Sequence, residues 1–270
     1  MWTETFFGVK KPIIALLHLR AMPGDPLYRK EDSMEKVVET ARKELRLLQD
    51  GGVDGILIAN EFSLPYEKKV SAVTVGAMGY IVGALKADIR VPFGVNIVSN
   101  PLATIDLAAA VGANFVRSTF TGAYIGENGM TDTDIATVLR RKKALGLDDL
   151  KLFFKVNPES DAYLAERPIS KITKSMIFHC FPDALCVSGA SAGTETDSSL
   201  MEQVKALAGD TPVFCNTGCT VENIREKLQI SDGACVGTAF KKDGKFRNTV
   251  DGERVRAFMA RVSAYRSELG

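Results

Sequence analysis

Residues 233–242 read GACVGTAFKK. Gly233 to Val236 form an apolar run of buried-strand character, which gives way to Gly237 and Thr238, then to Lys241 and Lys242, a polar turn and the helix-like stretch RVRAFMARVSAYRSEL. A strand that merely reverses direction has no need of a Gly-Thr pair and a cation at its end. A last barrel strand opening toward an anion does: glycines let backbone N–H groups approach the anion, and a following helix start adds its positive dipole end.

Seven further runs share this character: PIIALLHL from Pro12, VDGILIAN from Val53, PFGVNIV from Pro92, ANFVRST from Ala113, KLFFKV from Lys151, DALCVSG from Asp183 and PVFCNTG from Pro212. They are apolar almost throughout instead of alternating, as parallel strands covered by helices are. Most are separated by helix-like segments; Met34, Val37, Val38, Ala41, Leu45 and Leu48 make one helix face between Ser33 and Asp50, closed by Gly51 and Gly52. Eight strand-helix units in 270 residues, with no GxGxxG after the first strand, predict an α/β fold, a single-domain (β/α)8 TIM barrel over residues 1–270.

Composition narrows the function classes. With 46% apolar and 25% charged residues and a net charge of +1, the chain has the balance of a soluble globular protein, without the field that would favour nucleic acid. The five cysteines are odd in number and lie mostly in apolar runs, which suits reduced thiols and a cytoplasmic location. Cys215 and Cys219 lack a second ligand pair, so no metal is expected, and no cofactor. Lys10 and Lys11 before IIALLHL imitate a signal peptide, but that run is short, holds His18 and reads as the first strand. VTVGAMGYIVGAL from Val73 is too short to span a bilayer and reads as a buried helix, leaving no integral membrane segment.

Chemistry in such a barrel collects at the carboxyl ends of the strands. After the sixth strand stand Ser188, Gly189 and Gly193; after the seventh, Thr217 and Gly218, with Thr220 as N-cap of a helix near Val221; after the eighth, Gly237 and Thr238. Together these form a candidate phosphate site with Lys241, or equally Lys242, as its cation, the alternative being turns that use glycine for geometry alone. Asn60, Glu61, Asn96, Arg117 and Lys155 end strands two to five. Glu61 is the candidate base, or else an ion-pair partner of Arg117 or Lys155; His18 is an acid/base or a rim residue. Lys155, flanked by Phe153, Phe154 and Val156, reads as a Schiff-base lysine or as an anion clamp. TGAYIGENG, with Tyr124 as a substrate contact and Gly122, Gly126 and Gly129 as hinges, reads as a lid or a plain surface loop; His179 reads as structural.

HLRAMPGDP, GVNIVSNP, FVRSTFTGAYIGENG and the C-terminal motifs through NTVDGERVRAFM resemble the BtpA/SgcQ family over most of the chain. The resemblance implies a barrel of the ribulose-phosphate-binding kind, in a family whose members are linked to photosystem I biogenesis or accompany sugar-utilisation genes. The sequence departs from the family pattern at Asn157, after the fifth strand. Three functions follow as expectations: an enzyme moving a proton or working on a carbon–carbon bond of a small phosphorylated sugar, as an isomerase, epimerase or lyase; a barrel that binds such a metabolite without turnover; or an assembly factor. A homo-oligomer using the KLFFKV run or the final helix is a further possibility.

Overall fold

The structure is a computed structural model describing residues 1–29 and 31–270. A short helix α1 (Trp2–Phe7) precedes the units β1 (Ile13–His18), α2 (Met34–Asp50), β2 (Gly55–Ala59), α3 (Ala72–Leu85), β3 (Phe93–Asn96), α4 (Pro101–Val111) and β4 (Phe115–Ser118). Strands β5 (Ala123–Gly126) and β6 (Gly129–Asp132) come next, then α5 (Ile135–Ala144), β7 (Lys151–Lys155), β8 (Ala162–Tyr163), α6 (Ile169–Cys180), β9 (Ala184–Val187), α7 (Ser198–Leu207), β10 (Val213–Cys215), α8 (Ile224–Ile230), β11 (Gly233–Val236) and α9 (Gly252–Glu268). The parallel strands β1, β2, β3, β4, β7, β9, β10 and β11 close into a barrel, with β11 returning to β1 at Ile13↔Ala234 and Ile14↔Cys235. These are the eight apolar runs of the sequence.

Each strand turns alternate side chains into the lumen. Ile14, Leu16, Leu57, Phe115, Phe153, Cys186, Phe214 and Cys235 fill it, while Ile13, Ala15, Ile56, Val95, Val116, Phe154, Leu185 and Val213 face the helices. Phe7 of α1 joins the lumen cluster, with Trp2 and Phe6 packed against it; Phe7 stacks edge-on to Phe115, and Trp2 to Phe153. Helix α1 thus stops the end of the barrel opposite the strand carboxyl ends. Room for so many rings comes from glycine: a Cβ at Gly55, Gly94 or Gly233 would overlap Phe7, Phe115 or Phe214.

The helices start where side chains satisfy their first N–H groups. Ser33 caps α2, Asn100 caps α4 with Pro101 at its first position, and Asp251 accepts from the N–H of Glu253 and Arg254 at the start of α9. Thr220 accepts from Asn223 in a turn instead, and α8 starts three residues beyond Val221.

Four expectations need revision. Helix α3 is not buried all round, for Val73 and Tyr80 are 53% and 54% exposed. TGAYIGENG is no glycine-hinged excursion but the hairpin β5–β6, whose β5 also pairs with β8 to make a three-stranded antiparallel sheet over the mouth. The KLFFKV run and the final helix offer no free apolar face: Phe153 lies in the lumen, Phe154 under the helices, and Val255, Phe258, Met259 and Val262 of α9 are buried. Lys241 is fully buried, with its Nζ 3.1 Å from Glu44 Oε2 on α2, while the N–H of Val250 donates to Glu44 Oε1. Burial lowers the Lys241 pKa, partly offset by Glu44. This lysine fastens the β11–α9 connection to α2.

The glycine–ring fit sets a test. Gly94→Ala should lower the unfolding free energy by about 1–3 kcal/mol through overpacking against Phe115, measured as a fall in the urea midpoint with an unchanged m-value.

Candidate functional site

Continuing the two-residue alternation past the filled lumen gives the inward positions of the last layer: His18, Asn96, Arg117, Lys155, Ser188, Asn216 and Gly237. Apart from Ser188, all of them line a cavity of about 1170 Å³ at the strand carboxyl ends, joined by Glu61 and Glu159 from the loops. The apolar lower layers support this polar floor.

A continuous hydrogen-bonded chain ties the floor together. Arg117 Nη1 donates to Asn216 Oδ1 at 2.7 Å, and Asn216 Nδ2 donates to Ser188 Oγ at 2.9 Å and to Glu159 Oε1 at 2.8 Å. Lys155 Nζ donates to Glu159 Oε2 at 2.6 Å. Burial raises the Glu159 pKa, but the charges of Lys155 and Arg117 outweigh it and hold the carboxyl below its ordinary value. Asn157 clasps the backbone N–H and C=O of Ser188, which keeps the loops after β7 and β9 together.

Other atoms of the floor have no partner. His18 Nδ1 and Nε2, Asn96 Oδ1 and Arg117 Nε are buried without a hydrogen bond, an arrangement that leaves each group short of its full bonding capacity. Burial, reinforced by the positive charges of Lys241, Arg117 and Arg20, puts the His18 pKa well below its ordinary value. The imidazole is therefore neutral at pH 7 and offers one donor and one acceptor. Phe246 covers it at 5.3 Å between ring centroids, and Gly237 leaves it room, since a Cβ there would stand 3.0 Å from its Cε1 and Nε2. Glu61 Oε1 lies 4.0 Å from Arg117 Nη2, and Glu61 Oε2 accepts from Tyr66 at 3.0 Å. Burial and the neighbouring Glu61 raise the Tyr66 pKa, which keeps the phenol a donor.

Gly193, Thr217, Gly218, Gly237 and Thr238 line one side of the same cavity. Gly218 has a positive φ of 68°, and a Cβ there would overlap the backbone of Glu195. Lys227, buried in α8, braces these turns: its Nζ donates to Thr196 O at 3.0 Å and Ser198 Oγ at 2.8 Å, and pairs with Glu195 at 2.6 Å. Arg254, in the first turn of α9, also lines the cavity and donates from Nε to Ala239 O at 2.9 Å.

The remaining candidates lie elsewhere. Lys241 is behind the barrel wall with Glu44, and among the described residues Arg254 supplies positive charge on this side of the cavity. Asn60 is buried in the wall, where its Oδ1 accepts from Val98 N at 2.8 Å. Tyr124 is buried against Tyr163, with centroids 4.3 Å apart, and does not reach the cavity. Ser188 sits one bond behind the floor, and the Gly189 N–H is taken by Thr217 Oγ1 at 2.6 Å. Sequence reasoning missed Asn216 and Cys235, although counting in twos from Phe214 and Gly233 reaches both. It also missed Glu159 and Arg254, which no periodicity marks. Among the described residues no cluster of three His, Cys, Asp or Glu side chains could hold a metal ion.

The sequence model of the BtpA family matches residues 9–264. The chain belongs to the BtpA family. This BtpA-family barrel is 47% identical over 261 residues to the sgc region protein SgcQ of Escherichia coli K12, covering 97% of each chain. It is 28% identical to the photosystem I biogenesis protein BtpA of Synechocystis, covering 94% of this chain and 88% of that one. Among solved structures it resembles (S)-3-O-geranylgeranylglyceryl phosphate synthase from Thermoplasma acidophilum, with a TM-score of 0.60 at 15% identity over 97% of this chain and 96% of that one. That likeness is one of fold. Among the described residues no helix is long and apolar enough to cross a membrane.

The neutral His18 makes a pH prediction. Its folded pKa is depressed, so below the ordinary histidine value the unfolded chain takes up a proton that the folded chain refuses. Its contribution to stability is complete above about pH 6.5 and declines below it, by at most about 1.4 kcal/mol per pH unit. Urea titrations at pH 7.5 and 5.5 should show this decline, and His18→Gln should flatten it.

Proposed function

We propose that the barrel is a cytoplasmic enzyme acting on a small phosphorylated sugar or related metabolite, holding the phosphate over the last strand-end turns and moving a proton at the other end of the substrate. The observation that carries this reading is the set of unpaired buried atoms on the cavity floor at His18, Asn96 and Arg117. One pure acceptor, one pure donor and a neutral imidazole able to do both match a hydroxyl beside a carbonyl. The phosphate would lie against Gly193, Gly218, Gly237 and Thr238, with Arg254 supplying charge. Barrels of this fold include a synthase solved with sn-glycerol-1-phosphate, a parallel that rests on architecture alone.

In this reading Glu61 removes a proton from the carbon next to the carbonyl. The electron pair moves onto the carbonyl oxygen, where Arg117 and the His18 N–H stabilise the developing negative charge. Asn96 accepts from the neighbouring hydroxyl. Glu159 serves as the fixed counter-charge that orients Lys155 and, through Asn216, Arg117. The Lys155–Glu159 pair favours a clamp over a Schiff base. Return of the proton to the former carbonyl carbon, with the hydroxyl proton passing to the other oxygen, gives an isomerase, and return to the opposite face of the same carbon gives an epimerase. In a lyase Glu61 instead takes the proton of a hydroxyl one carbon further out, and the carbon–carbon bond between that carbon and the one next to the carbonyl breaks with its electron pair passing to the carbonyl oxygen.

A thermal-shift series with inorganic phosphate and phosphorylated sugars tests the binding half. A ligand at 100 times its dissociation constant adds roughly 2.7 kcal/mol, a rise of several degrees. The rise should be confined to phosphorylated compounds and reduced in Arg254→Ala, whereas no shift with any of them overturns the reading. For a ligand found in this way, Glu61→Gln should retain the shift but lose at least about a hundredfold in turnover, as expected of a general base. Unchanged turnover in that variant removes Glu61 from the mechanism.

A further inference from the structure

Helix α3 carries no charge between Ser71 and Leu85, a run of residues on the outside of a barrel where helices ordinarily present a polar face. Of its exposed positions, Val73, Gly76, Tyr80 and Gly83 are spaced by three, four and three residues, so they form one straight seam along the helix. Neither glycine is required by the chain itself. Both have ordinary helical φ values, and a Cβ added at either would meet nothing within 4 Å. Glycine in mid-helix is destabilising relative to alanine, and among the described residues no close contact at either position calls for it.

The order of sizes along the seam suggests the occupant. Val73 and Gly83 lie five positions either side of Met78, and Gly76 and Tyr80 lie two either side. When a second copy of the helix is laid antiparallel across a two-fold axis at Met78, each large side chain therefore meets a glycine. The same axis sets α2 opposite its own copy in antiparallel fashion. Beside α3 that helix exposes Glu35, Lys36 and Glu39 in its first half and carries Lys43 together with Arg42 and Arg46, both paired with Asp88, in its second, with Arg42 Nη2 donating to Ala84 O of α3. Each acidic half then faces a basic half. We propose that this face is a homodimer interface in which α3 packs antiparallel on α3 of a second copy, Tyr80 seating over Gly76 and Val73 over Gly83, flanked by complementary charges of α2.

Sedimentation equilibrium across the micromolar range tests the proposal. The wild-type chain should be dimeric. Gly76→Tyr sets tyrosine against tyrosine and should weaken the dimer on the order of thirtyfold or more, the loss typical of a central contact. The double variant Gly76→Tyr with Tyr80→Gly again places each tyrosine opposite a glycine and should recover the association. Because Gly76 faces open space and Tyr80 is half-exposed on the helix surface in the single chain, each variant should keep the wild-type far-ultraviolet circular dichroism. A monomeric wild type, a dimer indifferent to Gly76→Tyr, or a loss that the double variant does not repair overturns the proposal. Association with vesicles or another protein in place of self-association does so too.

Discussion

The lumen of a closed eight-stranded barrel is narrow, and every inward side chain competes for it. Here four phenylalanine rings share the lower layers only because glycines stand opposite three of them, and because α1 supplies a stopper in place of further side chains. The lower layers, filled by apolar side chains, offer the floor little to hydrogen-bond from beneath. The polar side chains of the last layer must therefore bond one another, bond a ligand, or go without.

They divide along that line. Lys155, Glu159, Ser188, Asn216 and Arg117 satisfy one another in a chain with two cations and one carboxylate, and Glu61 stands near its cationic end. Such a buried set holds its geometry because removing one member would leave its neighbours charged and unpaired. His18, Asn96 and the Nε of Arg117 stand at the edge of this chain and receive nothing from it. Rigidity on one side and unmet bonding capacity on the other describe a prepared recognition surface.

The barrel strands were legible because each is a short apolar run whose length and composition leave few alternatives. The parts that escaped depend on contacts remote in sequence or on a single turn of backbone. Lys241 follows Gly-Thr-Ala-Phe, and only the tight turn over Thr238–Phe240 carries it from the mouth to the outer wall, where Glu44, 197 residues earlier, receives it. Asn60 and Glu61 are adjacent in sequence but on opposite faces of the strand end, so an alternation that places Leu57 in the lumen sends Asn60 into the wall. Tyr124 resembled a lid residue because its glycine-rich surroundings suggest a loop; its burial depends on β8, a two-residue strand with almost no pattern of its own. Glu159 entered the floor from a loop in which periodicity has no meaning.

The small sheet β6–β5–β8 joins two segments that serve different strands. Strand β5 follows the segment bearing Arg117, and β8 follows the segment bearing Glu159; their pairing and the Tyr124–Tyr163 contact fasten the two outside the barrel. Inside, Asn216 fastens the same two residues from below. Arg117 and Glu159 are thus held at both ends, like two bars of a frame with cross-pieces at top and bottom. Neither segment can be displaced without the other, so this side of the mouth is built as one body.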